Sequence, residues 1–392
     1  MVRILGVREL TVPLGLSAAN AAIRYDTMTV SLIAVATDAV RHGKRVVGFG
    51  LDSHGRFAHG RLLLERFVPR LLAAAPAELL DAGGNLDPAA VARVALRDEK
   101  AGGHGERAGA IGLLDMAIWD IVAKLADKPL WRVLAERDGR TDADGRTFAY
   151  ASGGHYHGGA DAAADLAALR AELAGYVAQG FTHAKIKIGG APLDHDVARI
   201  EAALTILGDG AKLAVDANAA FDRSRANATL DRLAPYRLAW IEEPCPPLDF
   251  AALAALAGRY APPLATGENL FAADEVRNLL RYGALRRDRD LIQVDIALAY
   301  GLVEYRRILA LLAAHGWERA RCLPHAGHFL SLHAAAGLGL GGHESAPDPS
   351  LLLGGFPDGL RVEAGHVQLD DQPGIGFERK PALHRQLMSL VD

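Results

Sequence analysis

The 392 residues are too many for one ordinary domain and suit two, and a chain that is 50% hydrophobic and 23% charged is not disordered. A net charge of −4 argues against a nucleic-acid or anionic-membrane footprint but leaves a small anionic substrate open. Two cysteines, Cys245 and Cys322, make no disulfide framework, no run nears the ~20 apolar residues of a bilayer span, and the mixed start at Met1–Leu10 lacks a signal-peptide core, so a soluble cytoplasmic protein is expected.

Strand-like runs open the chain at Ile4–Pro13 and Met28–Thr37. A turn at His42-Gly43-Lys44 leads to a third run, Arg45–Leu51. Ala- and Leu-rich stretches over 60–80, 88–97 and 105–126 read as helices, so residues 1–145 form an α+β unit. From Arg146 the texture changes to short apolar runs between long Ala/Leu helices. The runs are Thr147–Ala151, His183–Ile188, Lys212–Asp216, Leu238–Glu242, Leu264–Thr266, Leu291–Asp295 and Arg321–Pro324, with an eighth near Gly342–Ser345. That strand-plus-helix rhythm over 146–350 predicts an α/β fold, a (β/α) barrel; a doubly wound open sheet shares the rhythm. Residues 351–392 turn loop-like and are expected to return to the first unit.

Barrel chemistry sits where strands end. In Ala184-Lys185-Ile186-Lys187-Ile188 the two lysines share a face, and each is expected to depress the other's pKa, bringing a neutral amine base closer to pH 7. The next three runs end in Asp216-Ala217-Asn218, Glu242-Glu243-Pro244 and Glu268-Asn269, with their first acids 26 residues apart each time. A lone acid at a strand end is an ordinary surface carboxylate. Three at the same spacing converge on one mouth and need a cation, and hard oxygen donors suit Mg²⁺ better than zinc.

Asp295 and His325 end the next two runs, and the carboxylate is expected to orient the imidazole and raise its pKa. His328 and His333 read as structural histidines, and Glu344 adds one more acid to the ring. A base, a metal and an acid around one mouth suit removal of a proton next to a carboxylate, where the metal stabilises the enediolate.

In this order, Lys185-Ile186-Lys187, Asp216, Glu242, Glu268, Asp295 with His325, and Glu344 resemble the mandelate racemase branch of the enolase superfamily. Within it the chain is most similar to the D-tartrate dehydratase family. That likeness extends to Asp98–Arg107, Ala265–Phe271, Ala334–Gly342 and Gly354–Gly359. The resemblance implies a modified TIM barrel, (β/α)₇β, under an α+β capping domain, with one Mg²⁺ held by Asp216, Glu242 and Glu268. It implies that Lys187 takes the α-proton and that His325, held by Asp295, protonates the departing β-hydroxyl, so that D-tartrate becomes oxaloacetate. Lys185, Asn218, Glu344, Lys100 and Asn20 are the implied contacts to a small carboxylate substrate, and a homo-oligomer, dimer or octamer, is implied as well. The chain departs from the branch at Ala326-Gly327-His328-Phe329, at His343 and at Pro244-Cys245-Pro246-Pro247. These positions, with His155 and His157, are where specificity is expected to differ.

Two motifs are decoys. Gly337-Leu338-Gly339-Leu340-Gly341-Gly342 matches a dinucleotide fingerprint but comes after a helix-like run, so its glycines are expected to serve close packing. His155 and His157 imitate a zinc tract on a substrate-facing loop, and Cys245 and Cys322 are expected to be free buried thiols. Besides dehydration, two other functions fit the residues: racemisation of a 2-hydroxy acid at the same site, and a non-catalytic, metal-stabilised barrel.

Overall fold

The computed structural model describes residues 1–156, 161–348, 351–352 and 354–391. Strands β1 (Ile4–Pro13), β2 (Thr29–Arg41) and β3 (Lys44–Leu51) form an antiparallel meander. His42 and Gly43 both take positive φ, 50° and 75°, the two-residue hairpin turn that matches strand twist. The helical run expected over 60–80 is broken. Pro69 has no N–H to give, and a π-turn at Leu63–Phe67 precedes the short helix Val68–Ala73.

Helix Gly105–Leu125 is apolar on nearly every side because both of its sides are covered. One side packs on β2 and β3, where the Phe49 N–H donates to Asp120 at 3.0 Å. The other meets the second domain. A Cβ on Gly112 would lie 1.7 Å from the Ala297 carbonyl oxygen, so only glycine permits this approach. Asp115, on the same helix, accepts the Leu302 N–H at 2.6 Å. Burial pushes the Asp115 carboxyl up to about 8, against backbone donors that pull it down. Since an unfolded Asp ionises near ~3.9, stability from this group is full below pH ~4 and is lost as pH rises toward 8. Asp115→Asn removes that dependence, so the variant's Tm should fall less between pH 5 and pH 9 than the parent's. Parallel Tm–pH curves would contradict it.

The second domain is a closed parallel barrel. Strands β4 (Arg146–Gly153), β5 (Ala184–Lys187), β6 (Leu213–Asp216), β7 (Ile241–Glu242), β8 (Leu264–Thr266) and β9 (Leu291–Ile292) pair in sequence order. The seventh position, expected as the strand Arg321–Pro324, is a single bridge from Ile292 to Cys322. The turn Arg319–Arg321 and the missing N–H of Pro324 leave no room for more. Gly341 N–H donates to Cys322 O at 2.9 Å, and β10 (His343–Ser345) pairs with β4 to close the ring. Seven helices alternate with the eight positions, the last being Phe329–Leu338. The fold is thus the expected modified TIM barrel with a capping domain, not an open doubly wound sheet. Gly337 lies in that last helix, and a Cβ there would come within 2.3 Å of Trp131 O, so the glycine run serves packing.

The C-terminal residues first stay on the barrel: β11 (Val362–Glu363) and β12 (His366–Gln368) form a hairpin, with β12 antiparallel to β4. They then contact the first unit, through Trp131 Nε1–H to Asp370 O, Ile375 N–H to Asp120, Glu378 to Lys124 and helix Pro381–Met388 against β2. No described helix is long and apolar enough to cross a membrane.

Candidate active site

Adjacent parallel strands place residues of equal register side by side, and here the register lines up the chemistry. Lys187 pairs with Asp216 across β5–β6, and Asp216 with Glu242 across β6–β7. Glu268 lies two residues beyond β8. One oxygen each from Asp216, Glu242 and Glu268 lie within 4.8 Å of one another. Non-glycine residues in left-handed conformation stand just past these strand ends: Asn218 (φ 44°), Ala219 (58°), Glu243 (39°) and Ala326 (84°). Such strain clusters where a mouth must hold side chains in fixed poses.

Every member of the set has partners that fix it. Asp216 accepts from Lys187 Nζ at 2.6 Å and from the Asn218 N–H at 2.8 Å. Glu242 accepts from Lys185 Nζ at 2.6 Å, Gln293 Nε2 at 2.7 Å and Trp240 Nε1 at 3.1 Å. Asn269 donates to Glu243 and holds Glu268 Oε1 at 3.3 Å, while Arg56 of the cap donates to Asn269 at 3.0 Å. Glu268 Oε2 is buried with no hydrogen-bond partner, its nearest cation being His325 Nε2, poorly aligned at 3.2 Å. Burial, reinforced by Asp216 and Glu344 against Lys185, pushes Glu242 up to about 7. A ring of acids that takes up a proton near neutral pH, with one oxygen orphaned, fits a divalent cation, and all-carboxylate donors suit magnesium.

The lysines share a face as expected, but their pKa values move the other way. Burial and Lys185 press Lys187 down, and Asp216 at 2.6 Å outweighs both, so its pKa is raised. Lys185 is raised likewise by Glu242 and by Glu344 at 2.9 Å, against burial. With no exposed surface, Lys185 underpins the acids rather than facing the cavity. His325 Nδ1 lies 3.0 Å from Asp295 Oδ2; burial opposes its charge, and Glu268 together with Asp295 lifts its pKa to about 10. Lys187 thus stands at the Asp216 end of the acid set and His325 at the Glu268 end. Asp295→Asn removes one source of the raised His325 pKa. An activity that needs protonated His325 should lose its alkaline limb about one unit or more lower in pH. An unmoved limb in the pH–kcat profile would contradict this.

The structure gathers Lys187, Asp216, Glu242, Glu268, Asp295, His325 and Glu344, and it displaces others. Lys100 is exposed in a separate cleft beside Arg107 and Tyr300 and does not reach the mouth. The side chain of Asn20 is committed locally: its oxygen accepts from the Ala22 and Ile23 N–H groups at 2.8 Å, and its amide donates to Tyr25 OH at 3.0 Å, so it positions Tyr25. Asn218 braces Asp216. Phe329 stacks on Phe377 and His343 lies buried against Ser331 and Phe356, both away from the cavity lining. His333 bridges Trp131 N–H and Ile375 O, a structural role, while His328 also reaches Asp295 at 3.4 Å. His155 lines the cavity, and His157 lies outside the described residues. Both cysteines are buried and unpaired. Sequence reasoning missed three cap residues: Ser53 donates to Asp295, His54 packs 5.5 Å from the His325 ring, and Tyr25 lines the cavity. The polar triplet Asp52-Ser53-His54, directly after an apolar strand, was the available signal.

A family model described as "Enolase C-terminal domain-like" matches residues 168–383. A 3,6-anhydro-alpha-L-galactonate cycloisomerase of Streptomyces coelicolor is 30% identical over 71% of this chain and 73% of its own. An L-talarate/galactarate dehydratase of Salmonella typhimurium is 28% identical over 90% of this chain and 82% of its own. A crystallised racemase from Streptomyces coelicolor, with bound magnesium, superposes with a TM-score of 0.75 at 26% identity, covering 98% of this chain and 99% of its own. With a matched model over more than half its length, the chain belongs to the enolase superfamily, among the mandelate racemase and acid-sugar dehydratase relatives.

Proposed function

We propose that the protein is a magnesium-dependent hydro-lyase that removes the α-proton of a hydroxy-carboxylate of the acid-sugar class and expels the β-hydroxyl as water. The observation that carries this is the flanking of three carboxylates by Lys187 on one side and the Asp295-held His325 on the other. Asp216, Glu242 and Glu268 would hold the cation, which supplies stabilisation of the second negative charge that deprotonation places on the substrate carboxylate. Asp216, 2.6 Å from Lys187, would be shared with that cation; Lys185 opposes a charge on Lys187, whose amine in its neutral form would accept the α-proton. His325, protonated, delivers its proton from Nε2 to the leaving oxygen while Asp295 steadies Nδ1.

Removal of an α-proton can open a dehydration, a racemisation or a cycloisomerisation, the three reactions for which the relatives are named, and the fate of the resulting enediolate decides among them. D-tartrate, giving oxaloacetate, is the four-carbon member of this substrate class and the one the sequence resemblance favours. A screen of acid sugars and tartrate stereoisomers in D₂O, with and without Mg²⁺, tests the reading. Magnesium-dependent formation of a 2-oxo acid is expected. Loss of optical rotation without a carbonyl product would instead establish racemisation, and no α-exchange with any acid would overturn the reading.

A further inference from the structure

The two oxygens of Asp295 are held from two different domains. Oδ1 accepts the N–H groups of Ala297 at 2.8 Å and Leu298 at 3.1 Å, barrel backbone just past β9, and lies 3.4 Å from His328 Nε2. Oδ2 faces His325 Nδ1 at 3.0 Å, and the other donor it meets is the hydroxyl of Ser53 in the cap. Ser53 and Asp295 are both buried, so solvent offers no substitute donor.

The place of Ser53 is itself built. Directly before it, Asp52 Oδ2 accepts the Ser31 N–H at 2.8 Å and the His59 N–H at 3.0 Å, and Oδ1 lies 2.9 Å from His59 Nδ1. Ser31 Oγ in turn accepts the Gly60 N–H at 2.7 Å, so the chain leaving β3 is pinned to β2 and to the turn at 59–60. Three residues after Ser53, Arg56 donates to Asn269 at 3.0 Å and lies 4.8 Å over the Phe271 ring, which ties the same loop to the barrel. The opposite end of the site has no such brace. Among the described residues no cap side chain hydrogen-bonds Lys187 or Asp216, whose bonds are to each other and to Asn218.

We infer that Ser53 is a positioning residue for the proton donor: its hydroxyl fixes Asp295 Oδ2, and through it the His325 ring, so the cap sets proton delivery and leaves α-proton removal to the barrel. This rests on the proposed function only for the roles of the two proton transfers. Without the hydroxyl, Oδ2 is free to turn about the Cβ–Cγ bond and the imidazole follows it, and a misplacement of ~1 Å costs up to ~10²-fold in rate.

The test compares the full-length Mg²⁺-loaded parent with Ser53→Ala and with Asp138→Ala, which removes a cap–barrel ion pair to Arg319 beside the entry to the seventh barrel position. Elimination and α-exchange in D₂O are measured on the same acid, with Tm and a crystal structure of each variant. In Ser53→Ala elimination should fall by at least ~tenfold while α-exchange stays within about twofold, and the Asp295–His325 pair should be displaced. The same split is expected of Ser53→Gly, whereas Asp138→Ala should leave the ratio of the two rates unchanged. Unchanged rates in Ser53→Ala overturn the inference, as do exchange and elimination falling together, or an equal change of ratio in Asp138→Ala. A parent that does not eliminate water from any acid overturns the proposed activity alone. The crystals then decide: a Ser53→Ala pair that superposes on the parent's overturns the inference, and a displaced His325 ring upholds it.

Discussion

Lys187→Ala should abolish exchange of the substrate α-hydrogen with D₂O, with kcat falling by roughly 10²–10⁴, the usual contribution of a positioned base. His325→Asn should separate the two proton transfers. It keeps α-exchange, because Lys187 and the acid set are untouched, and it loses elimination by a similar factor. The split comes from placement: the two groups stand at opposite ends of the carboxylate set, one beside Asp216 and the other beside Glu268. Both substitutions remove a cation from a buried cluster, so circular dichroism and Tm of each variant are measured alongside. A racemase would lose exchange of one substrate enantiomer in each variant, and a non-catalytic barrel would be indifferent to both.

Metal removal should have the second large effect. Chelation is expected to stop turnover, and Mg²⁺ to restore it and to raise Tm. A ligand at 100 times its Kd adds about 2.7 kcal/mol to the folded state. The three acids supply the reason, since without a counter-ion burial and mutual repulsion lift Glu242 to about 7. Glu268→Gln keeps the shape and removes one charge. Its Oε2 makes no hydrogen bond but faces His325 Nε2 at 3.2 Å, so weaker Mg²⁺ affinity is expected together with a lower His325 pKa. The loss should exceed the ~10–100-fold that removing even an outer partner of a metal site costs. A Tm in Glu268→Gln that responds to Mg²⁺ as the parent's does would contradict the assignment.

The barrel and its acids were legible because each stands at the end of an apolar run at a repeating interval, and parallel register converts that interval into proximity. Asp295 and His325 were legible for the same reason. The cap's contribution was not. Ser53 meets Asp295 across 242 residues of chain, a contact set by how the cap docks and by no local pattern. Lys100 and Asn20 failed as site residues for the same cause, one exposed in another cleft and the other committed to its own turn. The direction of the Lys187 pKa was hidden too, because a carboxylate 2.6 Å away on the neighbouring strand outweighs the lysine two residues off.

The most direct test is anomalous scattering from a crystal of the parent protein soaked in Mn²⁺. A single strong peak bonded to one oxygen each of Asp216, Glu242 and Glu268, with Lys187 Nζ and His325 Nε2 facing it from different sides, is the expected result. A peak on other residues, or none among these three, would contradict the account.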